Sequence, residues 1–204
     1  MTKRHQKQVY KAYEHIVDWF DKARTKTLME SEYLHLIVNS IPDGASVLDL
    51  GCGTGEPLAQ FFIERGFKVI GVDGSEKMIE LCRKRFPNEE WLVADMRELN
   101  LKRKFDVILA WHSFFHLDKA SQRAMFPLFA AHLKPNGILA FTSGVEEGEV
   151  WSNNGGQDLY HASLSTGEYE RLLKAAAFKI LTHKINDPHC GDATVWVAQK
   201  VVHG

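Results

Sequence analysis

Three observations predict an α/β fold built on a parallel sheet with helices on both faces. After about residue 40, short apolar runs alternate with helix-like stretches, the order that generates parallel strands. The run Val47-Leu48-Asp49-Leu50 breaks into Gly51-Cys52-Gly53-Thr54-Gly55, with glycine at every second position. Eighteen residues past Gly55, a second largely apolar run, Phe67 to Val72, ends in Asp73. That pairing describes a nucleotide-type ligand lying across the carboxyl ends of two neighbouring parallel strands.

The elements follow in order. An N-terminal helix is expected over Val9 to Ala23, carrying Tyr10, Tyr13, Trp19 and Phe20. Strands are expected at 45–50, 67–72, 91–94, 105–111 and 137–142, with helices at about 57–65, 75–86 and 118–133. Pro57 suits the first helical position, where its missing N–H would be unbonded anyway. Gly66 stops that helix as a C-cap glycine. Ser75 and Asp118 are N-cap candidates for the next two, and Pro127 predicts a kink or break in the last. Ser165-x-x-Glu168 is a capping box that opens a helix through about Ala177. Two strand-like runs, 178–184 and 193–202, close the chain as an antiparallel hairpin at the sheet edge.

The glycine turn constrains its ligand. Glycine permits a tight turn and close approach of another molecule to the backbone. A dinucleotide site expects Gly-x-Gly-x-x-Gly, whereas here Glu56 stands where the third glycine would be. Acidic side chains on both sides of the turn, Asp49 and Glu56, would repel pyrophosphate. An acidic rim suits a ligand with positive groups, such as the sulfonium and ammonium of S-adenosylmethionine.

The segment resembles motif I of the class I S-adenosylmethionine-dependent methyltransferases, and the resemblance continues in order. It runs through Val72-Asp73-Gly74-Ser75-Glu76-Lys77-Met78, Ala94-Asp95-Met96, Phe105-Asp106-Val107-Ile108 and Leu133-Lys134-Pro135-Asn136-Gly137-Ile138-Leu139. It covers about residues 45–142 and extends weakly to 200. Ala176-Ala177-Phe178 departs from the family's Ala-Gly-Phe. The resemblance implies a three-layer Rossmann-like sandwich with a mostly parallel seven-stranded sheet and an antiparallel C-terminal strand. It also implies one domain over 1–204: a helical cap (1–40), a cofactor-binding core (41–142), and a substrate-side segment with the C-terminal helix and hairpin (143–204).

On that resemblance the cofactor is S-adenosyl-L-methionine, with S-adenosyl-L-homocysteine as its product. Asp49 would receive the ammonium, with Gly51, Cys52 and Gly53 against the methionine part. Asp73 and Gly74 would take the ribose, Asp95 the adenine amino group, and Met78 and Met96 the ring. Trp111 and Tyr13 complete the cofactor set. The segment Ala110 to Leu117 follows the fourth strand and would line the reaction site, with His112 and His116 as candidate proton acceptors. Two histidines four apart also fit a metal, but no clear third ligand completes such a set. Phe115, Trp151, Tyr160 and His161 are expected around the acceptor.

Bulk properties fix the class. The chain has 204 residues, 45% apolar and 25% charged, with a net charge of −1. The near-neutral balance gives no electrostatic case for nucleic acid or an anionic membrane. Three dispersed cysteines, Cys52, Cys82 and Cys190, suggest neither a zinc site nor a disulfide framework. No apolar run reaches the roughly 20 residues needed to span a bilayer, and the charged start, Met1 to Gln8, lacks a signal peptide's apolar stretch. A reduced cytoplasmic enzyme with a small-molecule acceptor fits best, of unspecified oligomeric state. The same fold acting on protein or tRNA, and a non-catalytic S-adenosylmethionine binder, are the other readings.

Overall fold

The computed structural model describes residues 8–201, so of the charged start only Gln8 falls within them. Strands β1 (Ser46–Leu50), β2 (Lys68–Asp73), β3 (Glu90–Val93), β4 (Phe105–Ala110), β5 (Leu133–Ser143), β8 (Phe178–Asp187) and β9 (Ala193–Lys200) form one sheet in the order β3-β2-β1-β4-β5-β9-β8. β1 to β5 pair in parallel, and β9 runs antiparallel between β5 and β8. The order reverses at β1 and β4, which opens a crevice at their carboxyl ends.

Period-two alternation assigns each strand residue to one of two cores. Val47, Val69, Val107 and Ala140 face one layer, where they meet α2 (Ser31–Val38), α3 (Leu58–Ile63) and α4 (Glu76–Arg85). Leu48, Ile70, Ile108 and Phe141 face the other, against α5 (Lys119–His132) and α6 (Thr166–Ala175). Both faces of the sheet are therefore covered, which is why its central strands read as continuous apolar runs.

Ser75, Asp118 and Ser165 each accept a backbone N–H as N-caps. Pro57 is an N-cap rather than the first helical residue, and α5 runs through Pro127 without a break. A hairpin not foreseen in the sequence, β6 (Gly148–Asn154) and β7 (Gln157–Ser163), stands outside the main sheet. Its two-residue turn, Gly155-Gly156, has φ of 57° and 81°, the left-handed pair that glycine supplies most readily. The helix α1 (Tyr10–Ala23) and this hairpin face each other over the carboxyl end of the sheet. Among the described residues no helix is long and apolar enough to cross a membrane.

Candidate functional site

A cavity of about 400 Å³ opens at the carboxyl ends of β1, β2 and β4, with α1 and the β6–β7 hairpin as its outer wall. Its floor is the glycine turn. Gly51 has φ 74°, and a Cβ there would lie 2.2 Å from Ser113 Cβ, so backbone and neighbour meet at a distance only glycine allows. The backbone N–H groups of Gly51 and Cys52 both donate to the Val72 carbonyl (2.7 and 3.1 Å), which ties the first strand-end turn to the second.

Asp73 strengthens the same junction. One carboxylate oxygen accepts from Gly53 N (3.0 Å) and the other from Ser75 N (2.8 Å). Burial lifts its pKa to about 6 against the pull of those N–H donors. Asp49 differs: it is 3% exposed, and its carboxylate has no hydrogen-bond partner among the described residues. Burial pushes it up to about 7, Arg24 opposing and Asp73 adding to the rise. A buried carboxylate without partners is costly, and here it lines the cavity.

Two expectations need correction, and a third residue, Asp95, is at the cavity with partners of its own. Glu56 does line the cavity, but its carboxylate pairs with Lys26 and, at 3.2 Å, with Arg85, so its charge is largely spent within the protein. The acidic rim is therefore carried by Asp49 and Asp73. Tyr160 and Trp151 do not line the cavity. Alternation along β7 turns Leu159 and His161 inward and Tyr160 to the opposite face, where it is buried against Trp151 (ring centroids 5.3 Å). Asp95 lies at the cavity, but caps the short helical turn Met96–Glu98 and chelates Arg97 with both oxygens.

The remaining expected residues converge. Cys52, Gly74, Met78, Met96 and Trp111 border the cavity, as do Tyr13, His112, Phe115, His116 and His161. Helix α1 is seated so tightly that a Cβ on Gly74 would come within 2.5 Å of the Tyr10 ring. Sequence reading missed Arg24 and Arg97, which also border the cavity; neither belongs to a local pattern, and only the folding of distant segments brings them in.

The two histidines are in different states. His116 Nδ1 lies 2.8 Å from the Tyr160 carbonyl and Nε2 lies 2.9 Å from Tyr13 Oη. A carbonyl only accepts, so Nδ1 carries the proton and Nε2 accepts from the tyrosine hydroxyl. Burial drives the His116 pKa down to about 3. His112 has a left-handed φ of 50°, and its backbone N–H donates to Thr142 Oγ1 at 2.9 Å. Its ring packs on Trp111 and Phe115 but has no hydrogen bond among the described residues. Burial, then Arg24, lowers its pKa to about 4.

Comparison with known proteins completes the assignment. Residues 47–137 match the family described as "Methyltransferase domain". The dTDP-3-amino-3,4,6-trideoxy-alpha-D-glucopyranose N,N-dimethyltransferase of Streptomyces venezuelae is 34% identical over 111 residues, 53% of this chain and 46% of that protein. Trans-aconitate 2-methyltransferase of Azoarcus sp. is 35% identical over 102 residues, 49% and 39% of the two. The chain thus spans about half the length, or less, of these curated relatives. A crystal structure of Burkholderia thailandensis 1,6-didemethyltoxoflavin-N1-methyltransferase, with that compound and S-adenosylhomocysteine bound, superposes with a TM-score of 0.76. It is 19% identical and covers 99% of this chain and 92% of its own, a likeness of fold. In its ordered motifs, its strand order and its match over residues 47–137, the chain is similar to the class I S-adenosylmethionine-dependent methyltransferases.

Proposed function

We propose that the protein transfers a methyl group from S-adenosylmethionine to a small-molecule acceptor. One observation carries the cofactor half of this reading: the buried Asp49 carboxylate has no partner among the described residues and borders a cavity floored by the glycine turn. Such a group is stabilised by a cation, and the methionine ammonium supplies one. Asp73 keeps lone pairs for a ribose diol while it braces the turn. Met78 and Met96 offer polarizable surface to a ring. Trp111 Nε1 is a buried donor without a partner among the described residues; with Arg24 it suits the methionine carboxylate. The cofactor supplies an electrophilic methyl on a sulfonium whose leaving group is a neutral thioether, so the protein need not protonate a leaving group. What the chain contributes is alignment, exclusion of water by α1 and the hairpin, and a proton acceptor where the substrate requires one.

Several features favour a small acceptor. The cavity is compact and walled by aromatic side chains, and relatives act on sugar nucleotides and on trans-aconitate. A reducing, cytoplasmic setting is supported by the free, buried thiols of Cys52, Cys82 and Cys190. Calorimetry with S-adenosylmethionine, S-adenosylhomocysteine and NADH tests the proposal. The first two should bind and NADH should not; silence toward both sulfur compounds would overturn it.

A further inference from the structure

Resting on the methyltransferase reading, we infer that the methyl acceptor carries a carbonyl or carboxylate oxygen, which His161 of the β6–β7 hairpin holds as a hydrogen-bond donor. Asn154 and Ser152 set the direction of that bond. Register places the three side chains on one face of the hairpin, because Val150 opposes His161, Ser152 opposes Leu159 and Asn154 opposes Gln157. From that face Asn154, Leu159 and His161 border the cavity.

The three polar groups form a chain. Asn154 Nδ2 donates to Ser152 Oγ at 2.8 Å, and Ser152 Oγ lies 2.9 Å from His161 Nε2. An amide nitrogen only donates, so Oγ accepts there and its own proton is left for Nε2. The reverse arrangement would bring two protons onto Oγ and leave the hydroxyl proton without an acceptor among the described residues. Burial lowers the His161 pKa, so the ring is neutral at neutral pH. With Nε2 accepting, its one N–H is on Nδ1.

His161 Nδ1 has no hydrogen-bond partner among the described residues and is not sealed off. The ring is held by Phe115, stacked at 5.1 Å and 18°, and by His116 at 4.6 Å. A half-buried N–H of this kind costs free energy until a lone pair meets it, and an sp2 oxygen offers one in the favoured geometry. His116 cannot serve, since both its nitrogens are committed. Neither Asp49 nor Asp73 acts on His161, whose shift has burial as its one cause, so this donor stands apart from the carboxylates assigned to the cofactor. The held oxygen is a handle. A lone pair that accepts the N–H is not the one that attacks the methyl carbon, so the nucleophilic lone pair lies elsewhere on the molecule. Ser152 acts through His161 and is a positioning residue, as is Asn154.

The test uses the whole protein loaded with S-adenosylhomocysteine, and calorimetry of that loading comes first; its failure would sink the methyltransferase reading rather than this inference. Nitrogen NMR at neutral pH then reads the His161 tautomer. Nδ1 should show the protonated shift and Nε2 the unprotonated one, and the reverse overturns the inference. Titrations compare three probes of similar size: acetophenone, benzoate and α-methylstyrene, which has a methylene in place of the carbonyl oxygen. Acetophenone or benzoate should bind at least threefold more tightly than α-methylstyrene, and the better of the two names the kind of oxygen. Equal binding of all three, or of none, overturns the inference. In Asn154→Asp the chain should reverse, because a carboxylate accepts from Ser152, which then accepts from Nε2. The ring proton should move to Nε2 and the preference for oxygen should vanish. Ser152→Ala should also abolish the preference, and Ser152→Thr, which keeps the hydroxyl, should retain it. A preference that survives in either Asn154→Asp or Ser152→Ala removes the chain from the role.

Discussion

Beneath the ends of β1 and β2 the cavity is charged and its backbone is knotted by short hydrogen bonds. Along α1, the segment after β4 and the strand β7, it is aromatic, and burial lowers the pKa of its three imidazoles. The first side is built from consecutive residues, the glycine turn and the Asp73 turn. The second is assembled from segments 103 and 44 residues apart, as the Tyr13–His116 and His116–Tyr160 bonds show. Charge is therefore handled by local sequence, and shape by tertiary packing.

The sharpest way to break that contrast is Asp49→Asn, which removes the charge and keeps the shape. Losing one member of a buried ion pair costs about 3–5 kcal/mol, so affinity for S-adenosylmethionine should fall at least about 100-fold by calorimetry. The same variant, free of ligand, should melt no lower than the parent. An unchanged affinity would mean that the charged side does not hold the cofactor.

Gly51→Ala probes the seam between the sides. A methyl 2.2 Å from Ser113 Cβ at a left-handed φ should cost about 1–3 kcal/mol in denaturant unfolding. It should also weaken cofactor binding. An alanine variant of parental stability would show that the seam is slack.

Acidity should move stability and binding in opposite directions. Asp49 and Asp73 have native pKa values raised to about 7 and about 6. Between about pH 4 and 7 the native state thus holds protons that the unfolded chain has released. Their contribution to ligand-free stability is complete below about pH 4 and is lost progressively as pH rises from there through the folded pKa values, to about 7. Affinity for the cofactor should instead rise over that range, as Asp49 ionises. Parallel pH curves would contradict the buried, partnerless state of Asp49.

The smallest expected effect lies on the aromatic side. Tyr13→Phe leaves His116 Nε2 buried without its donor, at a cost of about 1–2 kcal/mol in thermal unfolding. A change in the Nε2 nitrogen chemical shift should accompany it. No change in that shift would show that the hydroxyl does not bond the ring.

The legibility of the sequence follows the same division. The alternation of parallel strands and helices, the caps at Ser75, Asp118 and Ser165, and the gathering of Asp49, Gly51, Asp73 and Met78 at one cavity could all be read from short-range patterns. The state of Glu56 could not, because the cations that neutralise it, Lys26 and Arg85, lie 30 and 29 residues away along the chain. The inward and outward faces of β7 were hidden for a different reason. Aromatic content marks a wall, but only strand register decides that His161 faces the cavity and Tyr160 does not. The Gly155-Gly156 turn was present as a hairpin signal and would have supplied that register.

Ser113 packs against Gly51 and donates to the Leu50 carbonyl at 2.6 Å, while its neighbour His112 borders the cavity against Trp111 and Phe115. One span of chain thus borders the cavity both at the glycine turn and at the aromatic wall. Any cooperativity between donor and acceptor that runs through it is reciprocal: the factor by which one ligand changes the other's affinity is returned in full. Order of addition can then alter how fast the ternary complex forms but not its free energy, so a difference between the two routes would report rate alone.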